Sequence, residues 1–321
     1  MQRRVLLVAL ASIAGLALAI VLAACGGTDD DKVKATKNPP AATVSSRVIL
    51  SGNIPRVRPA DYRAPTAMYR RHVRKTLAVM LRDVARLKSA VARGDLHVAR
   101  TAWLAADERY EEIGAAYGAF GDRDAAINGE PAGKPGGVKA KDFTGLHRIE
   151  LALWGRSSTR DATKATNLLA RDVARLRAHV GRIQIDPLEY SLRAHEVFEG
   201  TLDLQLSGRM SPWSSDALIA LRGNLKGTRV VLDSLRALLE RRNPTVVATA
   251  DRALRALDRA LSATERRDGT LPRWDAVPKR RREVLAGLTA AAAERLAYIP
   301  ELIDPRPARP VQRAFGDQEV Q

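Results

Sequence analysis

From Val73 the apolar residues fall at Val73, Leu77, Met80, Val84, Leu87 and Val91, alternating steps of four and three. That spacing draws one stripe along an α-helix. Gly94 stops the helix, and Asp95 is placed to cap the next one. A second stripe runs Leu96, Ala99, Trp103, Ala106, Tyr110, Ile113, Tyr117 and Phe120. So short a link predicts that the two helices pack antiparallel. Residues 121–142 break the pattern with five glycines and two prolines, a long aperiodic connection of the kind that often carries function.

Beyond it, a short helix is predicted from about Thr144 to Trp154, and another on the stripe Leu169, Val173, Leu176, Val180 and Ile183. A helix after Asp186-Pro187 carries Leu188, Leu192, His195, Glu199, Leu202 and Leu206. The next is marked by Leu218, Leu221, Leu225, Thr228, Leu232, Leu235 and Leu239. Asn243 and Pro244 read as a cap and a first helical residue, ahead of Val247, Ala250, Leu254, Leu257 and Leu261. A last helix spans about Lys279 to Tyr298. No strand pattern competes. About eight helices in up-and-down order are too many for one four-helix core, so the expectation is an all-α chain of two adjoining helical bundles.

Composition agrees with this. Hydrophobic residues are 45% of the 321, charged residues 28% and aromatics 4%, enough for a core and a solvated surface. A single cysteine excludes an internal disulfide and a thiolate metal cage. That cysteine, Cys25, follows Arg3, Arg4 and an unbroken apolar run from Val5 to Ala24, the make-up of an export signal. The ending Leu22-Ala23-Ala24-Cys25 resembles a bacterial lipobox, which implies cleavage before Cys25 and its lipidation. An uncleaved membrane anchor is the alternative. Either way the rest of the chain is expected outside the cytoplasm, as a cell-membrane lipoprotein on the extracytoplasmic face (periplasm or wall side).

The expected organisation is a signal peptide at 1–24, a flexible tether at 25–62, an all-α domain at 63–304 and a disordered tail at 305–321. Net charge is +17, and +15 without residues 1–24. The excess reads either as arginine solvating helices or as a surface for anionic lipid headgroups or an acidic wall polymer. No nucleic-acid motif is present.

His147 and Glu150 stand three apart on one helix face, so an imidazole nitrogen and a carboxylate oxygen can approach one cation. A mixed nitrogen and oxygen set without thiolates suits iron, zinc or manganese. By spacing alone such a pair is more often a salt bridge or a satisfied buried pair than a metal site. His195 and Glu199, four apart among leucines, read as a buried His–Glu hydrogen bond fixing helix register, or as a polar cluster facing the His147 helix. Trp154, Trp213, Tyr190 and Tyr298 read as packing residues, and His72, His97 and His179 as boundary or surface residues.

The wording around the pair is more specific. Thr144-Gly145-Leu146-His147-Arg148-Ile149-Glu150, running on to Leu153-Trp154-Gly155, resembles the signature of the imelysin-like family, and within it the EfeO/EfeM type. The segments Ala90–Leu96, Tyr110–Ile113, Ala194–Glu199, Leu204–Gly208, Asn224–Thr228 and Leu235–Leu239 extend the resemblance over roughly residues 66–300.

The resemblance implies an extracytoplasmic iron-binding component, not an enzyme, of an EfeUOB-type uptake system. An iron permease and a haem peroxidase are its implied partners, and iron, zinc or another divalent cation its implied metal. It implies a metal site made of His147, Glu150, Glu111, Asp122, Asp124 and Asn128. Two positions depart from the family pattern: Gly114 replaces a glutamate and Asn128 an aspartate. A scaffold or acidic-polymer-binding lipoprotein with a degraded metal site is the alternative function. A metallopeptidase is a third, although the motif lacks the second histidine of His-Glu-x-x-His.

Overall fold

The computed structural model describes residues 56–305. The export signal, Cys25 and most of the expected tether and tail lie outside the described residues. Those that are described form helices joined by turns, with no strand among them. They are α1 (Arg63–Arg93), α2 (Leu96–Glu111), α3 (Tyr117–Phe120), α4 (Asp122–Asn128), α5 (Gly145–Glu150), α6 (Thr159–His179), α7 (Pro187–Gly200), α8 (Ala217–Glu240), α9 (Pro244–Ser262), α10 (Lys279–Leu296) and α11 (Tyr298–Ile303). Eight are the expected helices, and α3, α4 and α11 are short additions.

One group is built by α1 against α2 and α6, with α5 on α6. The other is built by α7, α8, α9 and α10, and α8 also packs on α1 and α2. The all-α architecture of two adjoining bundles is thus present. Among the described residues, no helix is long and apolar enough to cross a membrane.

Several boundaries follow from chemistry visible in the chain. Gly94 closes α1 in the left-handed region (φ 75°), where a residue without a Cβ carries no steric cost. The carboxylate of Asp95 accepts the Val98 N–H at 3.0 Å, and Asn243 accepts from Thr245 and Val246 ahead of Pro244, each cap satisfying open donors of a first turn. Val57 and Tyr62, placed in the expected tether, are instead buried, and the Tyr62 hydroxyl donates to the Ile303 carbonyl at 2.7 Å.

The second stripe does not continue to Phe120 as one helix. α2 ends at Glu111, and the chain turns through Gly114–Ala116 into α3. The Tyr117 hydroxyl donates to the Tyr110 carbonyl at 2.7 Å, and the two rings stack 5.0 Å apart. The seam therefore stays apolar while the helix breaks beneath it.

Two α8 glycines fix how the bundles meet. A Cβ on Gly223 would stand 2.6 Å from the Glu108 carbonyl and 2.7 Å from the Glu111 Cβ. One on Gly227 would stand 2.3 Å from the Glu112 carbonyl. Only glycines, four apart on one face, let α8 lie on the end of α2 at backbone contact.

Candidate functional site

Glycine also sets the entry to α5. Gly145 has φ 78°, and a Cβ there would lie 2.2 Å from the Ile127 carbonyl, so the Thr144-Gly145 step seats α5 on the end of α4. The Thr144 hydroxyl donates to the Ala126 carbonyl across the same junction. After Glu150 the chain widens into a π-turn, Leu151–Gly155, a distortion common at functional sites. The Trp213 ring packs where a Cβ of Gly155 would be, 3.1 Å from its Cδ1. Trp154 meets Trp103 edge to face at 5.2 Å. The glycines and tryptophans of the motif thus do packing work, as expected for Trp154 and Trp213.

His147 (2% exposed) and Glu150 (0%) are buried together, with His147 Nδ1 3.0 Å from Glu150 Oε2. The other carboxylate oxygen, Oε1, accepts three hydrogen bonds from the 206–216 connection: Trp213 N–H at 3.0 Å, Ser214 N–H at 2.8 Å and the Ser214 hydroxyl at 2.8 Å. Glu150 is therefore a strut. It orients the imidazole through Nδ1 and pins the connection to α5. His147 Nε2 is left buried with no partner, the arrangement of a histidine whose free nitrogen is presented to a cation while a carboxylate holds its other side.

The pair shares its electrostatic surroundings with other acids. Asp107, Glu111 and Asp216 are all buried. Burial, together with the charges of Asp216 and Glu111, holds the Asp107 carboxyl well above the usual range. Asp216 is raised by burial and by the charge of Glu150, although Ser211 and Asp107 stand close enough to favour its charged form, and neither of its oxygens has a partner at full hydrogen-bond geometry. Glu111 is pushed up to about 7, mainly by burial and against the favourable hydrogen bonds of Asn224 and Gln205. Gln205 Nε2 reaches Glu111 Oε2 at 3.4 Å from a second π-turn, Thr201–Gln205, and its own Oε1 is buried and unpartnered. Burial opposes a charged His147, but the Glu150 hydrogen bond and the charges of Glu150, Asp216 and Glu130 outweigh it, and its pKa is raised.

The electrostatics are those of a buried acid cluster in which burial outweighs the positive charge that Arg273 brings to Asp216 and Glu150. Among the described residues, no three His, Cys, Asp or Glu side chains already stand at coordination spacing. The donors are gathered but not drawn together.

The expected ligands divide accordingly. His147 and Glu111 sit in this cluster, and Glu150 supports it. Asp124 lies one step removed: its Oδ1 accepts the Tyr110 hydroxyl at 2.6 Å, and burial raises its pKa. Asn128 is buried at the end of α4 with Oδ1 unpartnered. Asp122 is exposed and lines a surface cavity with Arg123, Asp172, Arg175, His179 and Arg182. Gly114 leaves ordinary space: a Cβ there would be 3.6 Å from Asn224 Oδ1.

His195 and Glu199 do not form the expected buried hydrogen bond. Their closest atoms are 3.9 Å apart, and the Glu199 side chain is 60% exposed. The main packing partners of α7 are α8, α10 and α11 rather than α5.

Sequence reasoning missed Asp107, Asp216, Gln205 and Asn224. Asp107 precedes Glu111 by four and shares its edge of the α2 seam, a signal that was available. Asp216 disguises itself. It occupies the N-cap position of α8, yet its side chain caps nothing.

Two named relatives share this chain's sequence over most of its length. The iron uptake system component EfeM of Pseudomonas syringae pv. syringae is 26% identical over 241 residues, covering 75% of this chain and 85% of that protein. The iron uptake system component EfeO of Escherichia coli O1:K1 is 26% identical over 231 residues, covering 72% of this chain. The chain spans 61% of EfeO's length. The family model described as imelysin (Peptidase_M75) matches residues 65–297, from the start of α1 to the end of α10. The chain belongs to the imelysin family.

Proposed function

We propose that this protein is an extracytoplasmic iron-binding component of an EfeUOB-type uptake system, tethered to the membrane through a lipidated Cys25. It takes a cation and passes it on without catalysing a reaction. The names of its relatives support iron as the cargo. An iron permease and a haem peroxidase are the partners that such a system implies.

The observation that carries the reading is the buried, unpartnered His147 Nε2, with the buried carboxyl of Asp216 within electrostatic reach of the same imidazole. Burying such groups bare costs on the order of 1–3 kcal/mol each, a cost that a bound cation cancels. His147, Asp216, Asp107 and Glu111 supply the nitrogen and oxygen donors that a hard or borderline cation takes. Glu150 orients His147, and Gln205 and Asn224 steady Glu111. Because the donors are not at coordination spacing, the cargo itself draws them inward.

The test is titration of the full chain with ferrous iron, ferric iron and zinc, alongside His147→Ala and an Asp107→Asn/Asp216→Asn double variant. Tight binding by the parent and a loss of at least tenfold in each variant is the expected result. Equally poor binding by all three forms removes the reading. Casein cleavage abolished by a chelator and by Glu150→Gln replaces it with a peptidase.

A further inference from the structure

The molecule's positive charge is not spread evenly. α1 carries nine arginines and lysines and one acid, Asp83, and α6 carries five and two acids, Asp161 and Asp172. These two helices pack on each other and hold a net +11 of a chain total of +17.

The nine α1 cations fall within an arc of about 160° at 100° per residue, away from the buried stripe. Arg63, Arg71, Arg74, Lys75, Arg82, Arg86, Lys88 and Arg93 are all exposed. Among the described residues, no arginine or lysine of α1 forms an ion pair; its two pairs use His72 and Asp83. On α6, Arg171 and Arg175 share Asp172, while Arg160, Lys164 and Arg177 pair with no acid.

The contrast is with α8, where Arg222 and Lys226 pair with Glu108, Arg229 with Asp258, and Arg236 with Asp233 and Asp251. Among the described residues, the arginines and lysines of α1 have no such acid partners. At the end of α6 a cavity of about 630 Å³ is lined by Arg123, Arg175, His179 and Arg182 with two aspartates, a recess that can admit a phosphate-bearing headgroup.

We infer that the exposed face of α1 and α6 is a docking surface for an anionic lipid bilayer. A row of exposed cations, without acid partners along α1, suits a plane of lipid phosphates. The position of the face in the chain favours a membrane over other polyanions. α1 is the first α-helix among the described residues, and the sequence before it contains the 20-residue apolar run Val5–Ala24. Docked in this way, residues 56–305 lie with α1 and α6 against the bilayer. None of these cations belongs to the acid cluster, so this inference stands or falls separately from cation binding.

The test reconstitutes the full chain into vesicles of phosphatidylcholine alone and of phosphatidylcholine with about 30% phosphatidylglycerol, and follows amine acylation at single lysines. In the anionic vesicles, Lys75, Lys88 and Lys164 are expected to react at least about threefold more slowly and to recover in about 0.5 M salt, as screening requires. Lys226 and Lys279 should keep their rates. The variant Arg74→Glu/Arg82→Glu/Arg86→Glu should lose the protection while keeping its melting temperature. Should it misfold, the glutamine version of the same three changes takes its place.

Equal rates in both vesicles, or slowing at all five lysines alike, overturns the inference. So does protection by a soluble polyuronate on neutral vesicles where anionic lipid gives none, which would make the surface a polymer site.

Discussion

Glu150 and Asp216 are both buried carboxylates at one site, and the protein treats them oppositely. Every direction around Glu150 is taken: two backbone N–H groups and a hydroxyl on Oε1, and the imidazole on Oε2. Asp216, two residues beyond the serine that bonds Glu150, has neither oxygen filled at full hydrogen-bond geometry, and its near neighbours are only Ser211 and another acid, Asp107. A carboxylate with all its acceptors filled is part of the framework. One left bare in the interior is held there at a cost, and a cost of that kind is kept where something else is meant to fill the space. The residue that the motif advertises is thus the scaffold, and a residue outside the motif is the better candidate for contact with cargo.

Replacing Glu150 by alanine is the strongest way to probe this contrast. It leaves Trp213 N–H, Ser214 N–H and His147 Nδ1 without their acceptor, and a loss of about 3–5 kcal/mol is expected in chemical denaturation. A loss below about 1 kcal/mol would place Glu150 among the ligands instead.

Asp216→Asn should act the other way. Relieving the clash of two buried carboxyls, Asp107 and Asp216, should stabilise the metal-free protein by about 1–2 kcal/mol while weakening iron binding. Destabilisation instead would mean that Asp216 is a structural acid like Glu150.

A third probe leaves the covalent structure alone. Glu111 titrates at about 7 in the folded protein and near 4.5 when unfolded, so between those values the folded state holds more protons. Stability of the metal-free protein should therefore fall as pH rises from about 4.5 to 7. The raised pKa of His147 acts in the same sense, because its charged form is lost as pH rises through the folded value. Glu108, held below its ordinary value by Arg222 and Lys226 despite its burial, loses its stabilising charge only under more acid conditions. Melting curves with and without iron check this: bound metal should flatten the slope, and an unchanged slope would separate the acids from the cargo. The smallest effect is expected at Glu199, exposed and unbonded to His195, where alanine should change stability by less than about 0.5 kcal/mol.

What could be read from the chain divides along physical lines. Gly94, Asp95 and Asn243-Pro244 act within a few residues of themselves, so their caps and stops were legible. His147 and Glu150 were legible because three-residue spacing puts two side chains on one face wherever the helix lies. The break at Gly114 was hidden because the apolar stripe continues across it. Asp216 and Gln205 were hidden because their meaning depends on α8 and a π-turn reaching the end of α2. The His195–Glu199 pair misled because shared spacing says nothing about which flank of a helix meets solvent.

Gly223 and Gly227 have a consequence for release. With α8 pressed on α2 at backbone distance, an ion bridging Asp107 and Asp216 would sew together positions 109 residues apart in the chain. Cargo and clasp would then be the same object. A recipient that pries the two helices apart would empty the site without needing chemistry of its own, and the emptied protein would be the looser of the two forms.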